Sequence, residues 1–312
     1  MISRRDYLQL SALAGVSLAV NPTALLAAGQ RSLITRAIPG TSEQLPVVGL
    51  GSSASFARIA GAGDTAAIKA LLDALSNTPN AVFDTAPSYG SAEEVAASVA
   101  RQNGHNKKLF WATKVNVAGS GGSADPAAAR AQLDRSIERL GKSPVDLIQV
   151  HNMADIPTQL GLLKEYRDAG RVRYIGVTTT NAGQYELLER VMREEKLNFI
   201  GVDYAIDNRT MEERIFPLAK ERGIGVLVYQ PFGRTRLWQK VEGHELPGWA
   251  AEYDIATWGQ FFLKFAVSHP AVTAATPATS SVRNLADNLG AATGRLPDDA
   301  GRRRMIAHIE SL

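Results

Sequence analysis

Residues 81–114 are the most informative stretch of the chain and read AVFDTAPSYGSAEEVAASVARQNGHNKKLFWATK. A short apolar run, 81–85, precedes a segment of helical spacing, and a second apolar run, 109–114, follows it. Apolar runs of this length, separated by an amphipathic helix, are typical of two parallel strands joined by a helical crossover. The stretch therefore predicts a strand–helix–strand unit.

The same pattern recurs along the rest of the chain. Eight runs rich in apolar and β-branched residues predict strands at 45–51, 81–85, 109–114, 145–151, 173–178, 199–204, 224–229 and 271–276. Helical periodicity predicts helices at 65–75, 92–102, 126–140, 157–169, 182–196, 211–222, 256–268 and 281–289. Strands that are apolar throughout are buried on both faces, so the pattern favours a single α/β domain, a closed (β/α)8 TIM barrel. We also expect an N-terminal hairpin from 31–44 at the barrel floor, a long loop at 232–248 and an extra C-terminal helix after Pro297.

An open dinucleotide-binding sheet is the competing interpretation. Residues Gly49 to Ala54 match a G-x-G-x-x-A turn after a strand. However, the residues that follow, 55–64, open no clean helix. The nearest acidic strand end, Asp84, also lies well beyond the roughly 20 residues that this fingerprint requires. The sequence therefore favours the barrel.

Composition excludes several classes of function. The 312 residues contain no cysteine, which excludes disulfides, thiolate nucleophiles and cysteine-ligated zinc. None of the five histidines stands in an H-x-H or H-E-x-x-H spacing, so no metal site is expected. The net charge of +3 is too small to indicate a nucleic-acid surface. These features predict a small-molecule partner.

The N-terminus has the features of an export signal. Arg4 and Arg5 precede a moderately apolar run, 8–20, which ends at Asn21 and Pro22. This run is shorter than the ~20 residues that span a bilayer, so no stable membrane anchor is expected. The paired arginines resemble a twin-arginine signal. We therefore expect residues 1–30 to be a signal peptide, 31–312 to be the barrel, the twin-arginine translocase to be a partner, and the protein to be periplasmic or exported.

Three consecutive predicted strands end on an ionisable residue: Asp84, Lys114 and His151. Each of them alone is compatible with a structural role. Strand carboxyl ends share one rim of a barrel, however, and that rim carries the active site in barrel enzymes. Together the three residues predict a catalytic site.

Tyr89 follows Asp84 by one short loop that turns at Pro87. We expect this loop to bring the phenol close to Lys114. A neighbouring ammonium favours the phenolate, so we expect the pKa of Tyr89 to fall below its ordinary value near 10. Tyr89 would then be the general acid, with Lys114 tuning it, Asp84 orienting the lysine and His151 holding a carbonyl oxygen as a neutral donor.

The sequence resembles the aldo-keto reductase family. The matching stretches occur in the family's order between residues 46 and 290: FDTAPSYGSAEE, WATKV, DLIQVHNM, VRYIGVTTT, VLVYQPF and SHPAVTAATPATSSVRNLADN. The resemblance implies an oxidoreductase that transfers a hydride between NADPH, with NADH possible, and an aldehyde or ketone. It also implies that the four residues above form the catalytic tetrad.

The C-terminal motif is expected to bind the phosphates of the cofactor. Thr279 and Ser280 offer hydroxyls and backbone N–H groups where barrels often bind phosphate, and Arg283 adds a cation. In the family this element holds the adenosine 2′-phosphate, while Asp287 and Asn288 fall where adenine is contacted. Ala278 and Asn284 replace the family's basic residues, which weakens the implied preference for NADPH over NADH.

The resemblance assigns a second group of residues to the nicotinamide end. Tyr229 matches the aromatic residue that stacks on the ring, and Gln230 and Phe232 belong to the same motif. The family's Ser-Asn pair corresponds to Thr178 and Thr179, and its usual glutamine corresponds to Gly201, so two carboxamide contacts are weakened. These departures leave open a non-catalytic nucleotide-binding protein, acting as a sensor or structural element. A barrel lyase or isomerase would leave 279–288 unexplained.

Overall fold

The structure, a computed structural model, describes residues 32–119 and 122–312. This part of the chain begins with an antiparallel hairpin. Strand β1 (Thr35–Ala37) pairs with β2 (Gln44–Pro46). The buried side chains of Ile38, directly after β1, and Leu45, in β2, pack against the lower interior of the barrel. The predicted N-terminal hairpin is thus confirmed. The predicted signal peptide, 1–30, lies outside the described residues.

Within the described residues, eight parallel strands form one sheet, and each pairs with its neighbours in chain order. The strands are β3 (Leu50–Gly51), β4 (Val82–Asp84), β5 (Phe110–Val115), β6 (Val145–Val150), β7 (Val172–Thr179), β8 (Phe199–Asp203), β9 (Gly225–Tyr229) and β10 (Val272–Ala275). The first and last strands are joined as well. The N–H of Gly49 donates to the carbonyl of Ala275 at 2.9 Å, and Ala275 donates to Val47 at 2.9 Å. The sheet therefore closes into the predicted barrel, and the open dinucleotide-binding sheet is wrong.

Helices cover the outside of the barrel and follow most of the predicted bounds. They are α1 (Ser55–Gly61), α2 (Thr65–Ser76), α3 (Ala92–Gln102), α4 (Pro126–Leu140), α5 (Ile156–Asp168), α6 (Tyr185–Glu194), α7 (Ile215–Arg222), α8 (Arg236–Lys240), α9 (Trp258–Ser268), α10 (Val282–Gly290) and α11 (Asp299–Ser311). The last of these is the expected extra helix, and α8 lies inside the predicted long loop. None of the helices formed by residues 32–119 and 122–312 is both long and apolar enough to cross a bilayer.

Helix α4 shows why several bounds were predictable. The Asp125 carboxylate accepts the N–H of Ala127, Pro126 occupies the first turn, and Gly141 ends the helix at φ +57°. Proline needs no hydrogen-bond partner for its nitrogen at this position, and glycine adopts the left-handed conformation without a steric cost. These local signals determine where the helix begins and ends.

Helix α1 was not expected from the sequence. Its first residue follows Ala54, which has φ +49° and makes no side-chain cap, so the usual start signal is missing. Phe56 and Ala60 lie four residues apart and are both buried. The helix is therefore stabilised by packing of this face rather than by its cap.

The predicted strand at 45–51 is divided in the structure. Leu45 and Pro46 belong to β2 of the hairpin, and only Leu50 and Gly51 pair with β4. Gly49 lies between them, where a Cβ would be 2.3 Å from the carbonyl oxygen of Val82. The close approach of two backbones at this position lets the chain pass from the floor into the barrel wall.

Candidate active site

The carboxyl ends of β4 and β5 carry a buried ion pair. The Nζ of Lys114 donates to Oδ1 of Asp84 at 2.7 Å and to the carbonyl oxygen of Thr85 at 2.9 Å. The Lys114 side chain is 1% exposed and that of Asp84 is 4% exposed. Taking both charges out of water is costly, and such a pair is maintained only when hydrogen bonds satisfy its groups. The structure provides these bonds.

Tyr89 and His151 lie beside this pair. The Nζ of Lys114 is 5.2 Å from the centroid of the Tyr89 ring. The Tyr89 and His151 rings meet edge to face, with centroids 5.8 Å apart. His151 begins a short 3-10 helix directly after β6. The structure thus brings together the four residues that the sequence assigned to catalysis.

His151 is neutral in this environment. Burial and then the positive charge of Lys114 lower the pKa of His151 from 6.5 to about 3. Its Nδ1 lies 3.3 Å from the hydroxyl oxygen of Ser88. When that hydroxyl donates to Nδ1, the ring proton resides on Nε2 and is available as a donor.

The expected fall in the pKa of Tyr89 is wrong. Burial raises the pKa of the phenol above its ordinary value of 10, and the ammonium of Lys114 offsets this only in part. The negative charge of Asp84 raises it further. A partly buried phenolate is disfavoured because it loses hydration. Tyr89 therefore keeps its proton at neutral pH, as a proton donor must.

The protonation states of Asp84 and Lys114, the two charged groups beneath Tyr89, depend on each other. Burial raises the pKa of Asp84, and the charge of Lys114 opposes that rise. Burial alone would lower the pKa of Lys114, but the charges and hydrogen bonds of Asp84 and Tyr89 together raise it above its ordinary value. Lys114 is therefore cationic as long as Asp84 stays ionised.

Tyr229, at the end of β9, also reaches this pair. Its hydroxyl donates to Oδ2 of Asp84 at 3.0 Å and lies 3.1 Å from Oε1 of Gln149. The Nζ of Lys114 is 5.3 Å from the centroid of its ring. Sequence reasoning missed Gln149, although alternation along β6 places it on the same face as the buried Leu147.

A cavity of about 650 Å³ opens above these residues. The predicted site residues on its wall are Asp84, Tyr89, His151, Thr178, Tyr229, Gln230 and Phe232. Its wall also includes residues that sequence reasoning did not single out, among them Asn152, Arg234 and Thr276. The signal for Asn152 and Thr276 was their position at predicted strand ends.

Thr178 and Thr179 lie on opposite faces of β7. Thr178 lines the cavity, and its hydroxyl oxygen accepts the N–H of Asn152 at 3.2 Å. The hydroxyl of Thr179 donates instead to Oε1 of Gln184 at 2.6 Å and accepts the N–H of Asn181. Successive side chains on a strand alternate between faces, so both threonines cannot face the cavity. The structure does not bring Thr179 to the cavity wall.

The predicted phosphate-binding residues continue from the cavity wall at Ala278 but do not form part of it. The hydroxyl oxygen of Thr279 accepts the N–H of Ser281, which in turn caps α10. Ser280 is half-buried, and Arg283 is exposed on the first turn of α10. This arrangement leaves a cation and a helix N-terminus side by side at the edge of the cavity.

Asp287 and Asn288 lie further along α10. Asp287 accepts the hydroxyl of Thr257 at 2.8 Å and the amide of Gln260 at 3.0 Å, which ties α10 to the start of α9. Asn288 is buried. Asp287 is therefore held by the protein itself as well as being a predicted contact to adenine.

A buried hydroxyl on the cavity wall has no hydrogen-bond partner. The hydroxyl oxygen of Thr276 is buried and makes no hydrogen bond. Buried polar groups are almost always paired, so an unpaired one at a cavity wall is a candidate contact for a ligand. Arg234, exposed on the same wall, offers a cation. These groups fit a polar, negatively charged cofactor.

Comparison with known proteins agrees with this site. The profile of the Aldo/keto reductase family matches residues 47–304, and the chain belongs to that family. It is 24% identical over 262 residues to an aldo-keto reductase of Strobilurus tenacellus, covering 73% of this chain and 77% of that protein.

Solved structures show the same fold. An aldo-keto reductase from Bacillus halodurans in its holo form has a TM-score of 0.69 at 20% identity, over 89% of this chain and 96% of that chain. An aldo-keto reductase from Klebsiella pneumoniae in complex with NADPH has a TM-score of 0.68 at 22% identity, over 90% and 95%.

Proposed function

We propose that this protein is an NADPH-dependent oxidoreductase that reduces an aldehyde or ketone, or runs the reverse reaction, with Tyr89 as general acid. The observation that carries the proposal is the buried pair of Lys114 and Asp84 directly beside the Tyr89 phenol on the cavity wall. Family membership and the NADPH complex of the Klebsiella pneumoniae relative support the choice of chemistry and cofactor.

Four residues of the chain take part in the proposed proton transfer, and each has a different role. Tyr89 gives its proton to the carbonyl oxygen of the substrate, and the ammonium of Lys114 stabilises the phenolate that remains. Asp84 keeps Lys114 charged. Neutral His151 donates a hydrogen bond to the same carbonyl oxygen and so orients it. The bound nicotinamide would supply the hydride to the carbonyl carbon.

Cofactor binding is assigned to the remaining wall of the cavity. Thr276, with its unpaired hydroxyl, and Arg234 lie on that wall, and Arg283 stands beyond it at the start of α10. A helix N-terminus attracts anions because its backbone N–H groups and dipole face them. We assign the 2′-phosphate to the segment of Thr279, Ser280 and Arg283.

The direct test uses purified protein with NADPH and a small aldehyde such as benzaldehyde. We expect quenching of protein fluorescence on NADPH addition, followed by aldehyde-dependent loss of NADPH absorbance. Binding without any turnover across a panel of aldehydes and ketones would instead favour the non-catalytic nucleotide-binding protein. Absence of both would contradict the proposal as a whole.

We also propose that the N-terminal segment directs export through the twin-arginine route, so that the protein folds and binds nucleotide before it leaves the cytoplasm. The support is the sequence around Arg4 and Arg5. Replacing both arginines by lysine should leave folded, precursor-length, nucleotide-binding protein in the cytoplasmic fraction. Unchanged export of that variant would indicate a general secretory signal or an uncleaved tail.

A further inference from the structure

Gly201 in β8 faces the ring of Tyr229 at the end of the neighbouring strand. A Cβ built on Gly201 would lie 2.4 Å from Cε2 and 2.6 Å from the hydroxyl oxygen of Tyr229. Gly201 does not have a left-handed backbone, so the space around it, not its φ, requires glycine. The ring of Tyr229 therefore occupies the volume that a side chain at position 201 would fill.

This placement lets the Tyr229 hydroxyl reach into the barrel. It donates to Oδ2 of Asp84 at 3.0 Å, while Lys114 donates to Oδ1 at 2.7 Å. Each carboxylate oxygen of Asp84 thus has its own donor. A buried carboxylate requires such donors, because it has lost the water that would otherwise solvate it.

Three further titratable groups, Tyr229, Tyr89 and His151, surround the Asp84–Lys114 pair. Lys114 comes from β5, Tyr229 from β9, Tyr89 from the loop after β4, and His151 from the end of β6. The ammonium of Lys114 lies close to both phenols, 5.2 Å from the Tyr89 ring centroid and 5.3 Å from that of Tyr229. Removing the hydroxyl of Tyr229 would therefore alter the environment of Tyr89 through Asp84 and Lys114.

We propose that Tyr229 is a positioning residue for proton transfer: in the space that Gly201 leaves, its hydroxyl holds the second oxygen of Asp84 and so fixes the Asp84–Lys114 pair beside Tyr89. The inference rests on the proposed reductase function. It concerns the hydroxyl of Tyr229 and is separate from stacking of the ring on nicotinamide, since a phenylalanine would retain the stacking and lose only the hydroxyl.

The first test is Tyr229→Phe in the full-length protein. We expect NADPH affinity and the KM for the aldehyde to stay within about twofold of wild type, because the ring is retained. Loss of one hydrogen bond to a charged group should lower kcat about tenfold. In a plot of kcat against pH, the decrease on the acid side should also move about one pH unit higher. Asp84 without its second hydrogen-bond donor is protonated more readily.

The second test is Gly201→Ala, which displaces the Tyr229 ring without altering any hydrogen-bonding group. We expect the same shift of the acid limb as in Tyr229→Phe, and no further shift when the two substitutions are combined. If circular dichroism shows that Gly201→Ala does not fold, the pH profile of Tyr229→Phe alone decides whether the inference stands. Additive shifts in a folded double variant would overturn the inference, because the two residues would then act separately.

Two matched controls make the same types of substitution elsewhere in the protein. Tyr166→Phe deletes a hydroxyl that donates to Asp134 at 2.8 Å on the outer helices. Gly161→Ala adds a methyl group to α5 where nothing lies within 4 Å. Both should keep the wild-type kcat and pH profile.

The outcomes separate this inference from the function on which it rests. A wild-type protein that reduces no carbonyl compound overturns the proposed function and the role of Tyr229 with it. An active wild type whose Tyr229→Phe variant keeps its kcat and pH profile overturns the inference alone. A loss of NADPH affinity in Tyr229→Phe, without a change in the pH profile, also overturns it.

Discussion

The charged groups at the carboxyl ends of β4 and β5 satisfy each other, whereas a buried hydroxyl at the carboxyl end of β10 has no hydrogen-bond partner. Asp84 and Lys114 are paired and buried by the protein itself. Thr276 has an unpaired buried hydroxyl, and Arg283 is exposed. The first region is organised by the protein itself, and the second is the part of the site to which we assign the cofactor. Substitutions in the first should therefore change rate and stability, and those in the second should change cofactor affinity alone.

The largest effect on rate is expected from Tyr89→Phe. It removes the proposed proton donor and leaves the Asp84–Lys114 pair beneath it intact, so NADPH binding should be kept while kcat falls by roughly 10²- to 10⁴-fold. Steady-state kinetics and a fluorescence titration measure the two quantities. Tyr174→Phe is a matched control, since its hydroxyl donates to Glu43 of the floor hairpin at 2.9 Å. Unchanged turnover in the Tyr89 variant would exclude it as the acid.

The substitution Lys114→Met tests the first region, the Asp84–Lys114 pair, by its effect on the free energy of unfolding. It leaves the Asp84 carboxylate buried without its cation, which should lower the free energy of unfolding by about 3–5 kcal/mol. Urea denaturation followed by circular dichroism measures this loss. Adding Asp84→Leu removes both charges and should recover much of the stability. If the single variant is as stable as wild type, the pair is not held in the way the structure shows.

Arg283→Ala tests the second region through affinity. An exposed side chain contributes little to folding, so the melting temperature should stay the same. NADPH binding should weaken by the equivalent of about 1.5–3 kcal/mol, because a charge-assisted contact is lost, while NADH binding should not change. Arg303→Ala, exposed on α11, is the control. Equal losses for both nucleotides would place the 2′-phosphate elsewhere.

The first region could largely be predicted from sequence, and the second less so. Asp84, Lys114 and His151 each end an apolar run, so the barrel alone brings them to one rim. Alternation along β7 could have separated Thr178 from Thr179, but the family motif treats them as a pair. The bond from Tyr229 to Asp84 joins residues 145 positions apart. It depends on the space above Gly201, which no local pattern reveals.

The prediction for His151 concerns the pH dependence of stability, where the change within any one pH unit is small. Its pKa is about 3 in the folded protein and about 6.5 when unfolded, so the unfolded chain binds the proton first as the pH falls. Stability should therefore decrease from pH 6.5 towards pH 3, by at most about 1.4 kcal/mol per pH unit from this group. His151→Gln should make that decrease shallower in melting curves, whereas His244→Gln, at an exposed position, should not. An equal slope in wild type and His151→Gln would mean that the folded protein does not hold this imidazole neutral, and His151 would then lose its role as a neutral donor.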